Sequence, residues 1–154
     1  MTKLSKDDIE RIEKELSYPY GAVALKCDGY DVTIYVQQVK ARKFDLMVYV
    51  NGWFRGEWLR DDTQERRRFY RPTRASLYKP SQRAEILKDF GKRRAARLFP
   101  DLDKTFTYYM PTWSATSSML RHFHRENTSV SLVSIGARSS TITVDVNLEE
   151  ASHV

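Results

Sequence analysis

Between Glu65 and Arg74 the chain reads ERRRFYRPTR, five arginines around an adjacent Phe69–Tyr70 pair. Arginine carries a planar, permanently charged fork that matches phosphate and carboxylate oxygens and stacks on rings. Two more basic groups follow: Lys92, Arg93, Arg94 and Arg97, then Arg121 and Arg125, four residues apart. Aromatic residues are interleaved with them: Phe69, Tyr70, Tyr78, Tyr109 and Trp113. Exposed rings can stack on bases or fill pockets of a protein partner. Arg66, Arg67, Arg68, Arg71 and Arg74, with the two later groups, are therefore expected to form a binding surface, Tyr70 and Trp113 serving as ring anchors. Its partner would be nucleic acid, a nucleoprotein complex or an acidic protein surface. The competing expectation is ordinary: a solvated helix face, Phe69 in the core, and arginines neutralised by the acids of residues 1–62.

The charge distribution favours the first reading. The chain has 154 residues and a formal net charge of +6. Residues 1–62 sum to −1, residues 63–126 to +9 and residues 127–154 to −2, so the whole excess lies in the middle. A basic stretch attracts polyanions, whereas a protein imitating DNA would be acidic.

Other chemistries leave weaker traces. Asp101 and Asp103, with Lys104, suggest a small metal-dependent nuclease, but the acids are crowded into one loop where aspartate also serves turns. His122 and His124 stand two apart on an expected helix, about 200° around its axis, and so cannot share an ion. Cys27 lies on an apolar strand face and reads as a small buried hydrophobe. Being the single cysteine, it forms no intramolecular disulfide, which suits a reducing cytoplasm. No phosphate-binding glycine loop, nucleophile elbow or zinc-protease motif is present. Residues 81–99 outline a helix-turn-helix with Gly91 at the joint, but its second helix has barely two turns, short for reaching base edges. No catalytic residue, metal or cofactor is assigned.

The elements that must position these residues follow from periodicity. Ser5 caps a helix from Lys6 to about Leu16 with Ile9, Ile12 and Leu16 inward. Residues 21–59 alternate apolar and polar side chains in four runs and predict an antiparallel meander, with Asn51–Gly52 as its strongest turn signal. Asp62 or Thr63 caps a short helix through Tyr70. Ser81 opens a helix from Gln82 to Phe90, Gly91 ends it, and a second runs from Lys92 to Phe99. Residues 104–110 form a strand with Phe106, Tyr108 and Met110 on one face. Ser114 caps a helix to about Glu126 with Met119, Leu120 and Phe123 inward, and residues 130–148 form a C-terminal hairpin. The expected class is α+β, a single domain over 1–154, with an antiparallel sheet and helices on one face. No segment has the roughly 18 apolar residues of a membrane span, and no secretory leader is read in the first 15 residues.

The stretches YPYGAVALKCDGYDVT, YVNGWFRGEW, RRRFYRP and DLDKTFTYYMPTW together resemble a family of small phage and prophage proteins of Gram-negative bacteria, over roughly residues 17–126. The resemblance implies an accessory role in the cytoplasm of a bacterial host, where such proteins often act by binding, including inhibition of host defences such as CRISPR. It transfers no functional residue. A structural or assembly protein, its aromatics forming a homo-oligomeric interface, is the remaining alternative.

Overall fold

The computed structural model describes residues 2–136 and the backbone of Thr143–Val144. The elements, in chain order, are α1 (Lys6–Glu15), β1 (Ala22–Cys27), β2 (Tyr30–Lys40), β3 (Lys43–Val50), β4 (Trp53–Phe54), α2 (Glu57–Arg60) and α3 (Gln64–Phe69), then β5 (Arg71–Ser76), α4 (Pro80–Leu98), β6 (Thr105–Met110), β7 (Thr112–Trp113), α5 (Thr116–Glu126), β8 (Val130–Ile135) and β9 (Thr143–Val144). They fall into two compact units, one comprising Met1–Arg71 with Tyr109–Val154, the other Pro72–Tyr108.

The larger unit is built on a sheet ordered β8-β1-β2-β3-β4-β9, with β7 also pairing β3. The expected meander is its centre, because alternate residues fall in register: Val23 faces Ile34, Leu25 faces Val32, and Ile34 faces Val48. Asn51 and Gly52 take positive φ of 52° and 80° and close the β3–β4 turn, so that Val50 faces Trp53. The apolar face so formed packs against Ile12 of α1, Phe69 of α3, and Met119, Leu120 and Phe123 of α5. Each large aliphatic buried there contributes about 1.5–3 kcal/mol.

Several boundaries differ from expectation. The fourth strand is only two residues long, and Glu57–Arg60 turns helical, so that Trp58 is buried. Thr63, rather than Asp62, caps α3, its hydroxyl accepting from the Arg66 N–H at 3.2 Å. Ala115, not Ser114, occupies the cap position of α5. The C-terminal hairpin does not form as expected among the described residues. Strand β8 pairs antiparallel with β1, while Thr143–Val144 pair parallel with β4. The rest of the expected second arm lies outside the described residues.

The smaller unit contains α4 and the two-stranded sheet of β5 and β6. Lys79 precedes α4 and Pro80 opens it, two residues earlier than read from Ser81. A proline suits a first helical position, which needs no N–H. Gln82 accepts from the Lys79 N–H at 3.0 Å. Gly91 breaks the helix in two at φ 75°, ψ 161°, a conformation almost confined to glycine. Only Ala95 and Leu102 are buried in this unit.

Candidate nucleic-acid interface

Most of the opening stretch, up to Arg71, serves the fold from within. Phe69 and Tyr70 are fully buried. Phe69 packs edge-on against Tyr30 and Phe123 at 5.4 and 5.5 Å, and Tyr70 against Trp58 at 5.9 Å. These rings pin α3 to the sheet, and its arginines reach their own protein from there. Arg66 lies 3.9 Å over the Tyr109 ring and donates to the Arg60 carbonyl at 3.4 Å. Arg67 pairs with Asp62 at 3.3 Å. Arg71 donates to the Thr112 carbonyl at 2.9 Å.

Arg68 is the most committed of the set. It donates to Asp28 at 2.8 Å and to Asn127 at 2.9 Å. Asp28 also accepts from the backbone N–H groups of Thr128 and Ser129, at 2.7 and 2.8 Å. The Thr128 hydrogen bond leads in holding this carboxyl below its usual range, with Arg68 adding to it against a desolvation cost. One carboxylate thus ties the β1–β2 turn to α3 and to the α5–β8 connection.

Tyr70 and Trp113 cannot be surface anchors, since both are buried. The Trp113 indole N–H donates to the Phe69 carbonyl at 3.1 Å. On α5, His122 is buried, and desolvation draws its imidazole below the usual pKa. Its Nδ1 accepts from Arg125 at 2.9 Å, which leaves an Nε2–H to donate to the Arg67 carbonyl at 2.9 Å. Arg125 also meets Glu126 at 3.4 Å. Arg121 is exposed and forms no ion pair among the described residues.

The smaller unit behaves differently. It holds nine Lys and Arg against four Asp and Glu, a net +5 of the chain's +6. Arg74 on β5 and Lys92, Arg93, Arg94 and Arg97 on α4 are all exposed. None has a carboxylate partner among the described residues, and Arg94 rests 5.8 Å from the Phe90 ring. Arg93 and Arg97 are one turn apart, opposite the buried Ala95, so both project outward. The rings that stay open here are Phe106 at 46% and Tyr108 at 39% exposed, neighbours on β6 with centroids 6.1 Å apart. Leu87, Phe99 and Leu102 line a cleft of about 410 Å³ together with Lys92, Arg83 and Asp103. Periodicity had placed Phe106 and Tyr108 on one strand face; it carried no signal that this face is uncovered.

The acidic loop sits in the same unit. Asp103 pairs with Arg83 at 2.7 Å and Asp101 with Lys104 at 4.0 Å, so each carboxylate answers a cation. Among the described residues, no three or more His, Cys, Asp or Glu side chains gather as a metal site. Burial pushes the Cys27 thiol up to about 12, which removes it as a nucleophile near neutrality. No described helix is long and apolar enough to cross a membrane. No family model, curated protein or solved structure shows significant similarity to this chain.

Proposed function

We propose that the protein is a non-enzymatic binding module that grips nucleic acid through Pro72–Tyr108. The observation carrying this reading is the set of exposed cations without carboxylate partners, Arg74, Lys92, Arg93, Arg94 and Arg97, in a +5 unit that also exposes two rings. Guanidinium groups in that state lose little on meeting a phosphate, because they give up no internal pair. Phe106 and Tyr108 supply sequence-tolerant stacking surfaces. Arg66, Arg68 and Arg71 act instead inside the fold, Arg67 and Arg125 are held in surface ion pairs with Asp62 and Glu126, and Tyr70 and Trp113 belong to the core.

The motif resemblance supports placing this binder among phage accessory proteins working in the bacterial cytoplasm. Occupying nucleic acid within a host nucleoprotein machine, CRISPR effectors included, is the inhibitory activity that suits a cationic chain.

Binding to short DNA and RNA, single- and double-stranded, across a salt series tests the proposal. Four cations engaged on duplex DNA would give a log–log salt slope of about −3.6. Arg93→Glu with Arg97→Glu is expected to weaken binding to every sequence alike. Affinity unchanged in that double variant, or a slope near zero, would refute the assignment.

A further inference from the structure

The β2–β3 hairpin outruns the body of the sheet. Val36 facing Leu46 is its last buried pair, and every residue from Gln37 to Phe44 is exposed. Val39 is 47% exposed toward the end of the arm, whereas Phe44, nearer its base, lines a pocket with Tyr18, Pro19 and Thr116. Four residues of strand carry the arm about 13 Å beyond its base. A register shift between Gln38 and Lys40, which in an antiparallel pair increases twist, lies just before the tip.

The tip is Lys40-Ala41-Arg42-Lys43, three cations in four residues. Arg42 turns the chain at φ 64°. Lys40 and Lys43 face each other across the ladder. Like charges directly opposite are destabilising, and none of the three cations meets a carboxylate among the described residues. A polyanion would relieve that repulsion.

We propose that this arm is a second nucleic-acid contact, one that enters the major groove of a duplex. A two-stranded ribbon fits that groove, whose depth of about 8.5 Å is less than the arm's reach. Arg42 lies at the leading end, where its fork meets base edges, and Lys40 and Lys43 meet the flanking phosphates. The arm belongs to the larger unit and needs nothing from α4, so the two contacts stand or fall separately.

The test is fluorescence anisotropy with a short DNA duplex and its single strand, using the triple variant Lys40→Glu, Arg42→Glu, Lys43→Glu. All three side chains are exposed, and an unchanged melting temperature would verify that the fold is retained. Duplex affinity is expected to fall at least about tenfold and the salt slope to flatten by about 1.8, two phosphates' worth. Single-strand affinity should fall much less. Duplex affinity and slope equal to the parent's would overturn the proposal, and equal losses on duplex and single strand would overturn groove entry. Loss here with normal binding by the Arg93/Arg97 variant would support the arm and remove the α4 reading. The reverse pattern would remove the arm alone, and a parent protein that binds neither form at low salt would sink both.

Discussion

Arg66-Arg67-Arg68 on α3 and Lys92-Arg93-Arg94 on α4 are nearly the same tripeptide with opposite fates. On α3 the next two residues are Phe69 and Tyr70, both fully buried. Two large rings sunk into a core bring the arginines beside them within reach of the protein's own groups: Arg66 meets Tyr109, Arg68 meets Asp28, and Arg67, still exposed, pairs with Asp62. On α4 the next two residues are Ala95 and Ala96, of which only Ala95 is buried. A methyl group anchors the helix without pulling its neighbours inward, so the charges stay in solvent. Whether a basic run is scaffold or surface depends on the apolar residue beside it more than on the charges themselves.

The strongest way to break this comparison is to remove the α3 anchor. Phe69→Ala should cost about 3–5 kcal/mol of stability, measured by urea unfolding. A loss near zero would mean that α3 is not pinned by its rings. Next, Gly91→Ala should cost about 1–3 kcal/mol, because alanine is strained at φ 75°, ψ 161°. A loss confined to the smaller unit, read by hydrogen exchange in α4, would sharpen the contrast between the units. Arg93→Glu with Arg97→Glu should leave unfolding unchanged within about 0.5 kcal/mol while weakening nucleic-acid binding. An equal loss of stability would place these two arginines with the α3 set.

The smallest expected effect is a pH dependence at Asp28. Its folded pKa lies below the unfolded value of about 3.9, so its contribution is fully present above that value. It is lost as pH falls through the depressed folded pKa. Asp28→Asn should therefore be less stable than the parent at pH 7, and the gap should close in acid. A gap that persists unchanged to low pH would show that the carboxylate charge contributes nothing to the clasp.

Periodicity was a sound guide wherever burial is one-sided. The meander, the α1 cap at Ser5, the Asn51–Gly52 turn and the inward face of α5 were all legible, because a half-buried strand or helix must repeat its apolar residues with the period of its backbone. The fourth strand was overread: Trp53, Phe54 and Trp58 look like one aromatic run, yet Trp58 enters the core from a helical turn. The candidate interface was legible only in part. Lys92, Arg93, Arg94 and Arg97 were singled out by charge and remain exposed, while Tyr70 and Trp113 were singled out by ring chemistry and proved to be core. Lys40, Arg42 and Lys43 were not legible as a tip, since their exposure depends on how far the hairpin extends past its last buried pair.

The sequence by itself determined the α+β class, the order of the central strands and the concentration of positive charge in the middle of the chain, because propensity, alternation and net charge are local sums. Only the tertiary structure decided which guanidinium groups keep their charge for a partner. Asp28 and Asn127 reach Arg68 from 40 and 59 residues away, and neutralisation at such separations depends on how the chain folds back on itself.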